Sequence, residues 1–385
     1  MSRVRLVKLG DIAAEITVGY VGPMASEYVA EGVPFLRSLN VRPLEIVMDD
    51  VKFISTEFHQ KISKSKLTPG DVVIVRTGKP GACALIPNWL PESNCSDIVI
   101  VRCGPEIQNR FLVYYVNAVA QQFVAEQLVG AVQQHFNVGS AREMTVRLPS
   151  LPEQAVVVAI LESLADKIDL LHRQNQTLEA MAKTLFRQWF LESQNDGWDE
   201  RPLSSIATFL NGLACQKHPP ANDVDKLPVL KIRELSNGIT DSADWATSKV
   251  KPDYIVEAGD VIFAWSASLM VKVWDGEKCV LNQHLFKVTS HDFPKWFYLR
   301  WCKHHLAEFI AISASQATTM GHIKRGDLDA ARVLVPPATV LDAMSQQMTP
   351  LLDKQMVIAR QRKTLEKLRD TLLPKLMSGE VRVAC

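Results

Sequence analysis

Two short loops carry side chains well suited to reading a ligand. The first, Gln133-Gln134-His135-Phe136-Asn137, continues to Arg142; the second, Met320-Gly321-His322-Ile323-Lys324-Arg325, lies 187 residues further on, so that His135 aligns with His322. Glutamine and asparagine amides can pair bidentately with adenine in the major groove of DNA, and arginine or lysine can pair with guanine. A third stretch, residues 59–79, holds five basic residues and one acid, a local +4 that suits phosphate contacts. Singly, each of these is also what an ordinary solvated loop looks like. Their recurrence at equivalent places gives them weight.

Other chemistry is missing from the chain. There is no GxxxxGK[ST] and no GxGxxG between a strand and a helix, which argues against ATP hydrolysis and a Rossmann cofactor site. His218-Pro219-Pro220-Ala221 approaches the Asn-Pro-Pro-Tyr tetrapeptide that grips a flipped adenine, but lacks the aromatic. Asp50-Val51-Lys52 has no upstream Pro-Asp to complete a PD-(D/E)xK nuclease. The seven cysteines are scattered too widely for a zinc cluster, and His304-His305 has no ligand partner at metal-site spacing. No catalytic residue, metal site or cofactor site is therefore expected.

The elements that position the loops follow from a repeat. A chain of 385 residues exceeds what one core supports, so at least two domains are expected. Hydrophobic residues make up 47% and charged residues 22%, which is ordinary globular composition, while 43 basic against 42 acidic residues leave a net +1. Leu9-Gly10-Asp11-Ile12-Ala13 resembles Leu203-Ser204-Ser205-Ile206-Ala207, and Pro34 to Arg37 resembles Pro228 to Lys231. Gly70-Asp71-Val72-Val73-Ile74 matches Gly259-Asp260-Val261-Ile262-Phe263. Towards the end of each copy, Leu164, Asp166, Lys167, Arg173, Gln174, Thr177, Leu178 and Glu179 recur as Leu351, Asp353, Lys354, Arg360, Gln361, Thr364, Leu365 and Glu366. Two like domains related by a pseudo-twofold axis are expected.

Each copy opens with β-type apolar runs, continues into a helix at about 107–128 or 294–312, and closes with a long helical pattern. The first long pattern starts near Pro152-Glu153-Gln154 and runs to about Glu192, with Leu161, Leu164, Ile168, Leu171, Leu178, Ala182, Leu185 and Trp189 on one stripe and Asn175 at a seam position. The second stripe holds Met348, Leu351, Ile358, Leu365, Leu372 and Leu376. At ~1.5 Å per residue such helices are rods of roughly 58 Å, longer than one domain buries, and they pair most naturally with each other.

With these elements in place, the chain resembles the specificity subunit of Type I DNA restriction-modification enzymes over essentially its whole length. The strings that carry the resemblance are PFLRSLNV (34–41), KSKLTPGDVVIVRTGKPG (64–81), SNCSDIVIVR (93–102) and VGAVQQHFNVGSAREM (129–144), with TLFRQWF (184–190) and LMSGEVRV (376–383) closing the two long helices. In the second copy the corresponding motif is Val280-Leu281-Asn282-Gln283-His284-Leu285-Phe286 and the turn after Trp265 is shorter, as two domains reading different sequences require.

The resemblance implies an α+β chain of two globular α/β target-recognition domains, 1–152 and 193–338, separated by antiparallel coiled-coil spacer helices at 153–192 and 339–378, with a tail at 379–385. It implies a non-catalytic reader of a bipartite double-stranded DNA target. Two methyltransferase subunits, which bring S-adenosylmethionine for adenine-N6 methylation, and two restriction/translocase subunits, which bring ATP and Mg, are the implied partners. The candidate DNA contacts are Arg37, Lys64, Lys66, Arg76, Lys79, Gln133, Gln134, His135 and Asn137 in the first copy, and Lys231, Arg233, Ser266, Lys272, Gln283, His284, His322 and Lys324 in the second. Arg173, Lys183, Arg187, Arg360, Lys363 and Lys367, on the exposed faces of the rods, are candidates for partner docking.

The odd, scattered cysteines suit a reducing cytosol. The start MSRVRLVKLGDIAAE lacks the apolar core of a signal peptide, and no segment nears the ~18 uninterrupted apolar residues of a membrane span. A cytoplasmic location without membrane contact is the expectation. Two alternatives stay open at this point: a self-contained DNA methyltransferase or nuclease, and a coiled-coil adaptor that does not bind DNA.

Overall fold

The computed structural model describes residues 5–78, 80–119, 136–193, 197–315 and 321–383. Contacts divide the chain into two units: Met1–Ile168 with Thr364–Cys385, and Asp169–Lys363. Both long helices cross the division, because Leu151–Arg187 and Ala338–Ser378 are each one continuous helix. A short π-helical stretch, Gln188–Glu192, ends the first.

Among the described residues, the two units share one topology. In the first, a central four-stranded sheet runs in the order Cys83–Leu85, Val72–Val75, Ile98–Cys103, Ala13–Val18. In the second, the order Met270–Val273, Val261–Ala264, Leu285–Thr289, Thr208–Asn211 is the same arrangement. Beside it stands a second sheet in which one parallel pair sits among antiparallel neighbours: Val33–Leu36 with Ser93–Cys95 in the first unit, and Lys226–Leu230 with Cys279–Leu281 in the second. A two-stranded ribbon, Arg5–Lys8 with Thr145–Leu148 or Asp199–Pro202 with Arg332–Val335, ties the start of each copy to its end. The first unit adds the strand Tyr28–Val29 and the ribbon Val41–Arg42 with Glu45–Ile46.

The continuous apolar runs of the central strands have a physical reason. Side chains alternate across a strand, so a strand buried on both faces reads as unbroken Val and Ile. Val72, Ile74, Val99 and Val101 face one core, which also holds Phe111, Leu112, Val116 and the long-helix residues Val157, Val158 and Leu161. Val73, Val75, Ile98 and Ile100 face another, shared with Leu36, Val41, Ile86 and Cys95. The second unit repeats the division, with Val261, Phe263, Phe286 and Val288 on the helix side and Ile262, Ala264 and Leu285 on the other.

The helix expected at about 107–128 is seen as Asn109–Ala118, and residues 120–135 lie outside the described residues. Its counterpart is two helices, Lys295–His304 and Leu306–Ser315. His305, at the break, has Nε2 2.9 Å from the Arg332 carbonyl and its ring stacked on Trp301. Packing accounts for this histidine.

Within each unit, the segments of the two long helices run antiparallel. In the second unit Gln355 donates to Glu179 at 3.1 Å; in the first, Leu161 near the start of one helix shares a core with Leu376 and Met377 at the end of the other. The stripe is less complete than its spacing suggests. Leu161, Leu171, Ala182, Met348 and Ile358 are buried, whereas Leu164, Ile168, Leu351, Leu365 and Leu372 are only half-buried. The two closing motifs serve as anchors. Phe186 and Phe190 stack at 4.9 Å and pack edge-on against Trp301, and Arg382 grips the buried Glu153 through two hydrogen bonds of 3.0 and 3.1 Å.

The Glu179 cluster fastens the second unit's globular part to its helices. Arg300, which is 5% exposed, donates twice to the Glu179 carboxylate at 2.7 Å, and Lys303 donates at 2.8 Å. Burial alone would raise this carboxyl, but the Arg300 hydrogen bonds and the charges of Lys303 and Arg300 outweigh it and hold the group at about 2. Glu179→Gln leaves Arg300 without its anion. It should cost roughly 1–3 kcal/mol at neutral pH, less than a fully buried pair because the carboxylate is partly solvated. A depressed carboxyl stabilises above its unfolded pKa and ceases to as pH falls through the folded one. The difference in thermal unfolding between wild type and E179Q should therefore be full at pH 7 and shrink as pH falls from about 4.5 towards 2.

Candidate nucleic-acid interface

With both faces of each central sheet covered, the strand ends and their loops remain for a ligand. In the first unit three chain segments leave their strands at the same end: residues 37–40 after Val33–Leu36, residues 76–78 after Val72–Val75, and Ser96-Asp97 after Ser93–Cys95. The parallel register of Leu36 with Cys95 places Ser38 beside Asp97, whose carbonyl accepts from Ser38 Oγ at 3.4 Å. The antiparallel register of Asn94 with Lys66, continued outward, brings Lys64 to this end too. Phe136 N donates to the Arg76 carbonyl at 3.3 Å, which ties the loop before the short helix Val138–Glu143 to the same place. A cavity of about 720 Å³ opens here, lined by Arg37, Arg42, Thr77 and Asp97 among others.

The second unit builds this end on the same backbone. Ile323 N donates to the Trp265 carbonyl at 3.0 Å, as Phe136 does to Arg76. Tyr20 N donates to the Cys95 carbonyl at 2.8 Å and Leu213 N to the Leu281 carbonyl at 2.9 Å. This crossing is so tight that a Cβ on Gly212 would sit 2.2 Å from the Asn282 carbonyl oxygen, and one on Gly19 would sit 2.8 Å from that of Cys95. Glycine is required for close approach, independent of turn geometry.

The structure brings some of the expected residues together and separates others. Ser266, His284 and His322 converge on Trp265. Ser266 Oγ lies 3.1 Å from His284 Nδ1, Ser266 bridges His322, and the indole lies 6.1 and 6.2 Å from the two imidazoles. Gln283 adjoins His284 at 3.4 Å, and the exposed Lys324 precedes the short helix Arg325–Ala330. Lys64 is exposed and Lys66 half-buried, with the Lys66 carbonyl accepting from Arg102 at 2.8 Å. Lys79, Gln133, Gln134 and His135 lie outside the described residues.

Several cations already have partners within the chain. Arg37 donates to the Asp50 carboxylate at 2.9 Å, and Lys52 and Arg37 together hold that carboxyl below its usual range. Lys231 pairs with Asp244, and Arg233 pairs with Glu234 at 2.8 Å and donates to the Ser242 carbonyl at 3.0 Å. Lys272 stands apart from the other candidates. It donates to the Leu235 carbonyl at 3.1 Å and lines a cavity of about 480 Å³ against the long helices, together with Asn175 and Lys183. Asn137 caps the short helix by accepting from Ser140 N at 3.0 Å, so the amide oxygen needed for a bidentate grip on adenine is engaged.

Sequence reasoning passed over Thr77, Asp97, Asn211 and Trp265. Asp97 and His284 each immediately precede the strand that begins Ile98 or Leu285, and comparing those two positions would have found them. On the helices, Arg173 pairs with Asp169 at 2.9 Å, Arg187 with Glu192 at 3.0 Å, and Lys363 lies over the Trp274 ring at 5.8 Å. Lys183, Arg360 and Lys367 are exposed. Among the described residues no group of His, Cys, Asp or Glu is placed to hold a metal ion, and no helix is long and apolar enough to cross a membrane.

Paired α/β units with polar, partly basic loops at equivalent sheet ends give one chain two like ligand-facing surfaces. The profile of the Type I restriction modification DNA specificity domain matches residues 1–180 and again 195–369, and the chain belongs to this family. It is similar to the Type I restriction enzyme MjaIX specificity subunit of Methanocaldococcus jannaschii, at 22% identity over 85% of this chain and 82% of that one. It is also similar to the HindI specificity subunit of Haemophilus influenzae, at 18% identity over 70% and 76%. The S subunit structure from M. genitalium shares the fold at 12% identity, with a TM-score of 0.60 over 97% of this chain and 96% of that one. The chain is thus the specificity subunit of a type I restriction-modification system, a non-catalytic subunit that recognises DNA and binds partner subunits. Neither alternative, self-contained enzyme or DNA-free adaptor, is favoured by these relatives.

The tight crossing generates one expectation. Gly212→Ala should displace the loop at residues 282–284, costing roughly 1–3 kcal/mol in thermal unfolding. It should also weaken recognition through the second unit while leaving the first unaffected, as measured by methylation of targets altered in one half-site at a time.

Proposed function

We propose that this chain supplies the address for adenine-N6 methylation and restriction by reading a bipartite DNA target, one half-site with each copy. The observation that carries the reading is the recurrence of one loop-bearing sheet end on the same backbone in both units, with different side chains on it. Residues 1–152 and 193–338 act as target-recognition domains, and the helices at 153–192 and 339–378 act as spacers. Lys64, Gln283, His284, His322 and Lys324 are the foremost of the candidate contacts, because they lie at these sheet ends or in the loops joined to them, whereas Arg76 is held by Asp97 at 3.1 Å and acts by orienting it. Gln133, Gln134 and His135 directly precede Phe136 in the sequence. Arg37, Lys231 and Arg233 act mainly by orienting their loops.

A helix of 37 residues is about 56 Å long, enough to hold two readers roughly one turn of DNA apart, ~34–36 Å. Two methyltransferase subunits dock on the helices and bring S-adenosylmethionine, and each receives an adenine extruded from its half-site. Two restriction subunits bring ATP and Mg for translocation and cleavage. Arg173, Lys183, Arg187, Arg360, Lys363 and Lys367 are the proposed docking cations. The complex works in the cytoplasm, where its DNA is.

Replacing residues 1–152 by the corresponding domain of a relative should change one half of the methylated sequence and leave the other half intact. A change in both halves would break the modular reading. Inserting four residues, about one helical turn, in the 170s should lengthen the unread gap between the half-sites. An unchanged gap in the methylation map would show that the helices are not the ruler.

A further inference from the structure

The two sheet ends can be compared position by position, because the backbone hydrogen bonds fix which residue stands where. Arg76 corresponds to Trp265, since each carbonyl accepts from the loop before the short helix. Thr77 then corresponds to Ser266, and Asp97 to His284, each directly preceding the strand that starts at Ile98 or Leu285. In both units the hydroxyl touches its counterpart. Thr77 Oγ1 donates to Asp97 Oδ2 at 2.5 Å, and Ser266 Oγ lies 3.1 Å from His284 Nδ1. The neighbour at the first position touches it as well: Arg76 Nη1 is 3.1 Å from Asp97 Oδ1, and the Trp265 and His284 rings are 6.1 Å apart.

One geometry is thus conserved between the units, and one chemistry is not. A hydroxyl anchors the same side chain in both, while that side chain is a carboxylate, which only accepts hydrogen bonds, in one copy and an imidazole, which can donate, in the other. A residue needed only to hold the framework would have no reason to change from acceptor-only to possible donor while its anchor stayed. The Asp97 carboxylate also stands on a surface meant for DNA, where it repels phosphate. Arg76 and Thr77 offset part of that cost and take two of the carboxylate's roughly four acceptor sites; for those that remain, the donors on the major-groove edge are the exocyclic amino groups of cytosine and adenine. The backbone at this position differs between the units: Asp97 has φ of 53°, in the left-handed region that Asp enters more readily than most residues, and His284 does not. The Asp97 side chain remains 42% exposed, open to a ligand despite its two partners.

We infer that the hydroxyl-anchored side chain before the third sheet strand, Asp97 in the first unit and His284 in the second, is the specificity-determining residue of each recognition domain, with Asp97 accepting from a base amino group. Arg76 and Thr77 are positioning residues that fix the carboxylate. This inference rests on the bipartite-reader function proposed above. It deepens that reading by naming the position where the two copies diverge and the kind of base edge the first copy requires.

The test uses the full chain with its partner subunits and maps N6-methyladenine in a host genome. Wild-type chain must first give a bipartite methylated sequence; if it does not, the general reading fails and the inference with it. Given that sequence, Asp97→Asn and Asp97→Glu should each relax or change one base pair in one half-site by tenfold or more in relative methylation, with the other half-site and the gap unchanged. His284→Gln should alter the opposite half-site only. An unchanged methylated sequence in the Asp97 variants would overturn the inference even though the general reading stood. So would a uniform loss of methylation with every base still required, or failure of both Asp97 variants to assemble with the methyltransferase subunits, since either result would make Asp97 part of the framework.

Discussion

The constraint on which the rest of this structure depends is that each central sheet is buried on both faces. One face is covered by helices, including the long ones, and the other by the second sheet, so a side chain that alternates either way meets a core. Nothing polar can be placed along those strands without a partner. The ends of the strands are where the chain is free to vary, and in the first unit the parallel pair of the second sheet brings its own two ends beside that of Val72–Val75 in the central sheet. The recognition loops of each unit are therefore consequences of how its core is closed.

The same constraint explains why two copies of one fold can read different sequences. The crossing at Gly19 or Gly212 and the bond from the loop before the short helix are set by backbone geometry and persist in both copies, as does a side-chain hydroxyl at Thr77 or Ser266. What differs is the side chains hung on that geometry: an arginine and a carboxylate in one, a tryptophan and a histidine in the other. The first unit presents its site as an ion pair, and the second as a cluster of rings. A uniform framework with exchangeable tips is the arrangement that lets one half of a target change while the other stays.

The sequence disclosed the architecture well and the site poorly, for separable reasons. The offsets between Gly70 and Gly259, or Leu9 and Leu203, are long-range regularities that survive divergence because they mark turns and core residues, and they led directly to two like units. The helical stripes were legible because burial imposes a period of three to four residues, although half-buried Leu164 and Leu365 show that spacing does not report how closely two helices pack. Charge, by contrast, did not say which cations were free. Arg37 and Lys231 look alike in sequence to Lys64 and Lys324, yet their carboxylate partners, Asp50 and Asp244, stand 13 residues away, where no local pattern reveals them. Asp97 was missed because the sequence was searched for basic and amide side chains, and an acid stands out only once its hydroxyl and guanidinium neighbours are seen.

The central claim is that this chain, without catalysing anything, decides which adenines its partners modify. The most direct measurement is a genome-wide map of N6-methyladenine in a host carrying the methyltransferase subunits with and without the gene for this chain. The account predicts that a two-part sequence with a fixed unread gap is methylated only when the chain is present. Methylation of the same sequence in its absence, or no sequence-specific methylation in its presence, would contradict it.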